Sequence, residues 1–358
     1  MKKVLASVFA LILMACSNSE QIEITQEAPP HHTEEGFKNL HGPEKQSGFF
    51  DYWYMRWFGD TEWADQPEQV DEIPFKRTDL ARIAHPDPEQ RQVTWIGHST
   101  FLLQYQGKTV LTDPIFSKRA SPVSFMGPQR LTELPVQLSD LPPIDAVIIS
   151  HDHYDHLDAD TIEALGNSTQ YYVPLALKPW FIEQGIAEEN VTELDWWQGA
   201  SHTDSLRIHA TPSQHWSGRS LWDRFETLWA SYVVDIGDWR VWFGGDTGYN
   251  PIQFKEIGNV FGDIDLALMP VGAYLPRWFM KMPHVDPQQA TQIHRDIGAK
   301  RSITMHWGAF QLAAEGIVQT LDDIKQARAD AELTDDEFRI MPVGATDVLP
   351  SRAANKYQ

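Results

Sequence analysis

The chain has 358 residues, with 29 basic against 50 acidic side chains and a formal net charge of −21 at pH 7. Such a surface repels polyanions and is not drawn electrostatically to anionic bilayers, so no nucleic-acid partner is expected. A hydrophobic share of 42% can supply a large core, and a single cysteine excludes an intrachain disulfide.

At the N-terminus, Lys2-Lys3 precede an apolar run at 4–15, too short to span a bilayer as a mature helix. The run ends Leu13-Met14-Ala15-Cys16, which resembles the lipobox of bacterial lipoproteins. The resemblance implies a signal peptide over 1–15 and an acylated Cys16 that anchors the protein to the membrane of a bacterial cell envelope. Ser17 in second place implies the outer membrane, facing the periplasm, in a Gram-negative cell. Residues 16–48 are polar, carry Pro29-Pro30, and are expected to form a flexible tether in which His31-His32 is incidental. An aromatic block from Phe49 to Phe58 opens the remaining unit, 49–350, which reads as one hydrolase domain with this block packed on its core.

Within that unit, strand-like runs fall into two groups, 93–149 and 206–303, with helical tracts at 160–165 and 287–297. The apolar run Ile144-Asp145-Ala146-Val147-Ile148-Ile149-Ser150 leads into His151-Asp152-His153-Tyr154-Asp155-His156. An extended segment sends alternate side chains to one side, so His151, His153 and Asp155 can converge on one point and His156 on a second. Imidazole and carboxylate are the ligand set of a hydrolytic zinc centre. Further candidates follow other strand-like runs: His215 after 206–211, Asp246 in Gly244-Gly245-Asp246-Thr247-Gly248 after 239–243, and His306 after 301–304. One histidine at a strand end is usually structural; four such settings in order point to a metal site. These patterns alone give an α/β or α+β fold.

The order HxHxDH, a distant histidine, GGDTG and a final histidine resembles the metallo-β-lactamase superfamily of binuclear metallohydrolases. Trp95-Ile96-Gly97-His98-Ser99-Thr100, Leu111-Thr112-Asp113-Pro114, Glu193-Leu194-Asp195-Trp196-Trp197, Pro276-Arg277-Trp278-Phe279-Met280 and His284-Val285-Asp286-Pro287 are similar, within it, to the family of N-acylphosphatidylethanolamine-hydrolysing phospholipases D. The resemblance runs from about Trp95 to Gly308. It implies an αββα sandwich of two mixed sheets with helices outside, and a homodimer. It assigns His151, His153 and His215 to one metal, Asp155, His156 and His306 to the other, and Asp246 to both. His284 would lie at the substrate phosphate and protonate the leaving alkoxide, which places Asp246, His284 and Asp155 in the catalytic set. Asp113 is expected to hydrogen-bond a ligating histidine, and His98 and His294 to be structural.

Two divalent cations, less Asp155, Asp246 and a shared hydroxide, leave the centre with about one positive charge. An anionic diester is attracted to it, and a water acidified toward a pKa of ~7 is a nucleophile at neutral pH. The expected reaction is phosphodiester hydrolysis of a phospholipid, releasing phosphatidic acid and an N-acylethanolamine-type alcohol. Zinc is the expected metal, with iron or manganese as alternatives. A carbonyl substrate (lactone, thioester or β-lactam) and a lipid-anchored envelope protein with a vestigial site are the competing readings. Lipid access is expected through Leu221-Trp222, Phe225 and residues 116–126.

Overall fold

Alternation along the strands decides the architecture. Val93 and Trp95, Phe101 and Leu103, Val110, and Ala146 and Ile148 point to one side and join a single buried cluster with Leu206, Ile208, Tyr232, Val234, Val241 and Phe243. Their neighbours Ile96, Leu102, Leu111, Val147 and Ile149 point the other way and pack with Ile162 and Phe181 of two outer helices. The central strands of the first sheet are therefore apolar on both faces, one for the facing sheet and one for the helices.

The computed structural model describes residues 29–42, 48, 51, 54–56 and 58–349. The expected signal peptide and Cys16 lie outside them. The first group of strands is β1 (Arg91–Gly97), β2 (Thr100–Tyr105), β3 (Lys108–Thr112), β4 (Ala146–Ile148), β5 (Gln170–Pro174) and β6 (Val191–Leu194). The second is β7 (Gly199–Thr203), β8 (Leu206–Thr211), β9 (Ser231–Ile236), β10 (Trp239–Phe243), β11 (Leu266–Pro270), β12 (Ser302–Met305) and β13 (Phe338–Arg339). A last strand, β14 (Thr346–Leu349), returns to the first sheet beside β1. The sheet orders are β14-β1-β2-β3-β4-β5-β6 and β13-β12-β11-β10-β9-β8-β7. Each sheet begins as an antiparallel meander and continues as parallel strands, from β3 onward in the first and from β10 onward in the second.

Helices Ala159–Leu165 and Lys178–Glu183 cover the first sheet. Helices Gln253–Phe261, Pro287–Asp296 and Ile317–Asp330 cover the second through Ile257, Ile293 and Ile324. The fold is thus the expected four-layer αββα sandwich. Asp286 caps helix Pro287–Asp296 by accepting the Gln289 N–H at 2.9 Å, and Pro287 fills its first turn.

Two expectations need correction. Residues 29–42 are not a free tether: His31 is buried, the Phe37 N–H donates to Phe225 O at 2.9 Å, and His31 and His32 both reach Asp195. A buried carboxylate supplies the partner that the polar composition did not reveal. In the aromatic block, Tyr54 and Phe58 are exposed and Met55 is buried. Phe49, Phe50, Tyr52, Trp53 and Trp57 of that block lie outside the described residues. Among the described residues no helix is long and apolar enough to cross a membrane.

Candidate metal centre

The loops that follow β4, β8, β10 and β12 carry the expected ligands to one place. The six-residue motif does not behave as an extended segment. β4 stops at Ile148, and the chain then turns, with the His156 and Leu157 N–H groups both donating to His153 O at 3.0 and 2.8 Å. Period-two alternation is lost at that turn. Asp155 therefore does not join His151 and His153. Its Oδ2 lies 2.9 Å from His98 Nε2 and 3.3 Å from Nε2 of both His156 and His306. Two nests result: His151, His153, His215 and Asp246, and His98, Asp155, His156 and His306.

Asp246 stands between them. Its Oδ2 is 3.7 Å from His215 Nε2, 4.0 Å from His151 Nε2 and 3.3 Å from His156 Nε2, and its Oδ1 is 3.0 Å from His306 Nε2. Glycine makes this position reachable. Gly245 has φ +54°, and a Cβ there would lie 2.5 Å from Ser150 Cβ; a Cβ on Gly248 would meet Met282 O at 1.8 Å. Ser213 Oγ donates to Asp246 O at 2.5 Å and the Gly248 N–H to Gln214 O at 2.7 Å, so the loops carrying His215 and Asp246 are fastened together.

Outer hydrogen bonds fix which nitrogen of each ring faces inward. His215 Nδ1 lies 2.8 Å from Pro283 O, an oxygen that can only accept, so the ring proton is on Nδ1 and Nε2 presents a lone pair. His156 Nδ1 is held at 2.6 Å by Asp113 Oδ2, with the same result. Ser150 Oγ donates to Asp113 Oδ2 at 2.5 Å and accepts from His151 Nδ1 at 2.9 Å. The His151 Nε2 lone pair then faces His153 Nδ1 at 2.8 Å.

Lone pairs turned toward one another and toward two buried carboxylates require positive charge between them. Nε2 of His156, both nitrogens of His306 and Oδ1 of Asp246 are buried with no hydrogen-bond partner. The donor set and these orphaned atoms fit divalent cations in both nests. The proton affinities carry the same signature. Burial disfavours the His156 imidazolium, yet the Asp246 and Asp155 carboxylates outweigh it and hold that ring well above 6.5. His306 is likewise pushed up to about 9, burial being overcome by the charge of Asp246 and by the closeness of the Asp155 and Asp246 carboxylate oxygens. His215 falls to about 4 and His98 to about 3, in both cases chiefly through burial.

The expected role of Asp113 as an outer partner is matched by its bonds to His156 and Ser150, whereas His98 is more than structural in the expected sense. It sits in the β1–β2 turn at φ +52°, and its neutral ring meets Asp155. Gly97 beside it, with φ +133°, is the signal in the sequence that could have marked this turn. His294 is buried and bonded to Ser302 Oγ at 2.8 Å, away from the nests. Asn39, unforeseen in the sequence, donates from Nδ2 to His215 O at 2.7 Å and accepts from the His215 N–H at 3.1 Å. His284 Nδ1 lies 3.8 Å from Asp246 Oδ2, at the mouth of the site.

Asp113→Asn is expected to lower metal affinity by about 10–100-fold while the sandwich stays folded, because an amide has a single acceptor oxygen where the carboxylate uses both, Oδ2 for His156 Nδ1 and the Ser150 hydroxyl and Oδ1 for the Ser150 N–H. A chelator competition would show it; wild-type affinity in the variant would contradict the role.

The model for the Beta-lactamase superfamily domain matches residues 108–307. The chain is 39% identical over 262 residues to N-acyl-phosphatidylethanolamine-hydrolyzing phospholipase D 1 of Caenorhabditis elegans, covering 70% of this chain and 74% of that protein. It is 36% identical over 239 residues to the mitochondrial N-acyl-phosphatidylethanolamine-hydrolyzing phospholipase D of Saccharomyces cerevisiae, covering 65% of this chain and 50% of that one. Its fold is similar to the isothiocyanate hydrolase from Delia radicum gut bacteria, with a TM-score of 0.59 at 20% identity over 72% of this chain and 98% of that one. With the sandwich and its His/Asp nests, these likenesses show that the chain belongs to the metallo-β-lactamase superfamily and is a metal-dependent hydrolase.

Proposed function

We propose that the chain hydrolyses a phosphodiester of a phospholipid, N-acylphosphatidylethanolamine being the first candidate, to yield a phosphatidic acid and the freed alcohol. One observation carries this reading. A groove of about 430 Å³, walled by Trp216, Leu221, Phe279, Met280 and Met282, ends at His284 beside the nests. An apolar wall leading to a cationic centre suits a substrate with long acyl chains and a charged reacting group. The worm and yeast relatives named for this reaction support it.

The rim fits the same substrate. Leu221 is 63% exposed and Trp222 86%, and in the segment 116–126 Phe125 and Met126 are exposed as well. Such residues suit contact with a lipid surface, where electrostatics would not help a chain this acidic. Phe225, expected in the same role, instead packs partly against the core.

In this reading His151, His153 and His215 would hold one cation and Asp155, His156 and His306 the other, and Asp246 would serve both. The cations, zinc by ligand type, supply an acidified water at neutral pH and positive charge for the phosphate oxygens. The chain's residues orient these parts. Asp113 and Pro283 O fix the inward nitrogens of His156 and His215, and His98 holds Asp155. His284 is clasped by its N–H bond to Met280 O and by the Arg277 guanidinium on its carbonyl. Burial holds its imidazole well below the usual histidine range, and its ring N–H is placed to donate to an oxygen of the diester as charge gathers there.

Purified full chain, assayed with N-acylphosphatidylethanolamine vesicles, bis-p-nitrophenyl phosphate and nitrocefin, tests the reading. Turnover of both phosphodiesters is expected. Turnover of nitrocefin alone would replace it with the carbonyl chemistry.

A further inference from the structure

We propose a third divalent-cation site, apart from the two nests, made by His31, His32 and Asp195. Its occupant is a borderline metal ion of the zinc class, and it rivets residues 29–42 to the end of β6.

The three side chains offer ligand atoms within 4.8 Å of one another. His31 Nε2 is 2.6 Å from Asp195 Oδ1, and His32 Nε2 is 2.9 Å from Asp195 Oδ2. Asp195 Oδ1 also accepts the Trp196 N–H at 2.7 Å. Local structure aims both rings. A tight turn runs from His31 to Lys38, closed by the Thr33 N–H to Gly36 O at 2.8 Å and the Lys38 N–H to His31 O at 2.9 Å. His31 stacks on Trp196 with centroids 4.3 Å apart, and His32 crosses it edge-on at 4.6 Å. Two imidazoles on neighbouring residues thus grip one carboxylate from both sides.

The chemistry suits a small, imidazole-seeking cation. The His31 and Asp195 side chains are only 5% and 7% exposed, so a charge placed there is shielded from water. The His32 side chain is 27% exposed, which leaves room for a solvent ligand in a fourth position. With an ion bound, each Nε2 is the ligand atom and the ring proton sits on Nδ1. The dication with the Asp195 carboxylate leaves a charge of +1, a small burden beside the chain's −21.

The site matters because of what the same segment does next. Seven residues beyond His32, Asn39 clasps the backbone of His215 on both sides. A cation at Asp195 would fix the near end of a strap whose far end steadies a metal-ligating loop.

The test counts metal, not activity, and so stands or falls separately from the proposed reaction. Full chain is loaded with zinc, freed of unbound metal by gel filtration and analysed for zinc per chain. The His31→Ala/His32→Ala double variant is expected to hold one equivalent fewer than the wild type, and the same loss is expected in Asp195→Asn. If the double variant is misfolded by circular dichroism, His32→Ala alone, which leaves the His31–Asp195 bond in place, takes its role. Equal zinc content in wild type and variant overturns the proposal. Loss of more than one equivalent also overturns it, since the strap would then be serving the main nests.

Discussion

Asp246→Ala is expected to cost both bound cations and to slow hydrolysis by roughly a thousand-fold, ~4 kcal/mol on the barrier. No other side chain in the site approaches so many inward nitrogens: His151, His156, His215 and His306 all lie within 4.0 Å of its carboxylate. Removing it leaves the five ligating imidazoles with one carboxylate, Asp155, and that carboxylate belongs to only one nest. The first nest becomes a neutral three-histidine set, and the second loses its shared anion. Elemental analysis beside turnover of bis-p-nitrophenyl phosphate checks the prediction. A variant that retained two metals and full rate would remove Asp246 from the proposed bridging position. Ser213, bonded to the Asp246 carbonyl and not its carboxylate, keeps the loop in place, so the variant should fold.

His284→Ala is expected to separate metal binding from rate. The ring stands beside the nests, 3.8 Å from Asp246 Oδ2, while its backbone is held by bonds independent of the side chain, including the Val285 N–H to Thr247 O at 2.9 Å. Metal content should therefore be preserved. The rate on a phosphodiester should fall about 100- to 1,000-fold, the range for loss of one positioned proton donor. The fall should appear in kcat more than in KM, because the N–H is most useful as charge gathers on the leaving oxygen. A loss of metal would instead make His284 a ligand, as its closeness to Asp246 and His306 permits. An unchanged rate would remove it from the reaction.

The sandwich and most of the site were legible because both rest on local patterns. β-Branched and aromatic runs, each followed within a few residues by a histidine or aspartate with a glycine or small residue nearby, marked β4, β8, β10 and β12 and the ligands that leave them. Asp286 followed by Pro287 marked a helix start. What escaped depended on contacts between distant segments. Alternation within 151–156 misplaced Asp155, because a turn closed through His153 O replaced the extended chain. His98 drew its meaning from Asp155, 57 residues away, and Asn39 from His215, 176 residues away. His31-His32 looked like part of a solvated tail because nothing nearby in the sequence revealed a buried carboxylate at Asp195. A short-range pattern cannot encode a partner that only the packing of two sheets brings near.

The division of ligands between the two strand groups bears on how the enzyme is made. His151, His153, Asp155 and His156 leave the first sheet; His215, Asp246 and His306 leave the second. Neither group owns a complete coordination set. As the polypeptide emerges from the ribosome, the early histidines await partners made later, His215 and Asp246 for one set and His306 for the other, and both sets await the closing of the layers. Firm metal capture therefore belongs to the mature molecule, and stoichiometric loading can serve as a certificate that folding is finished.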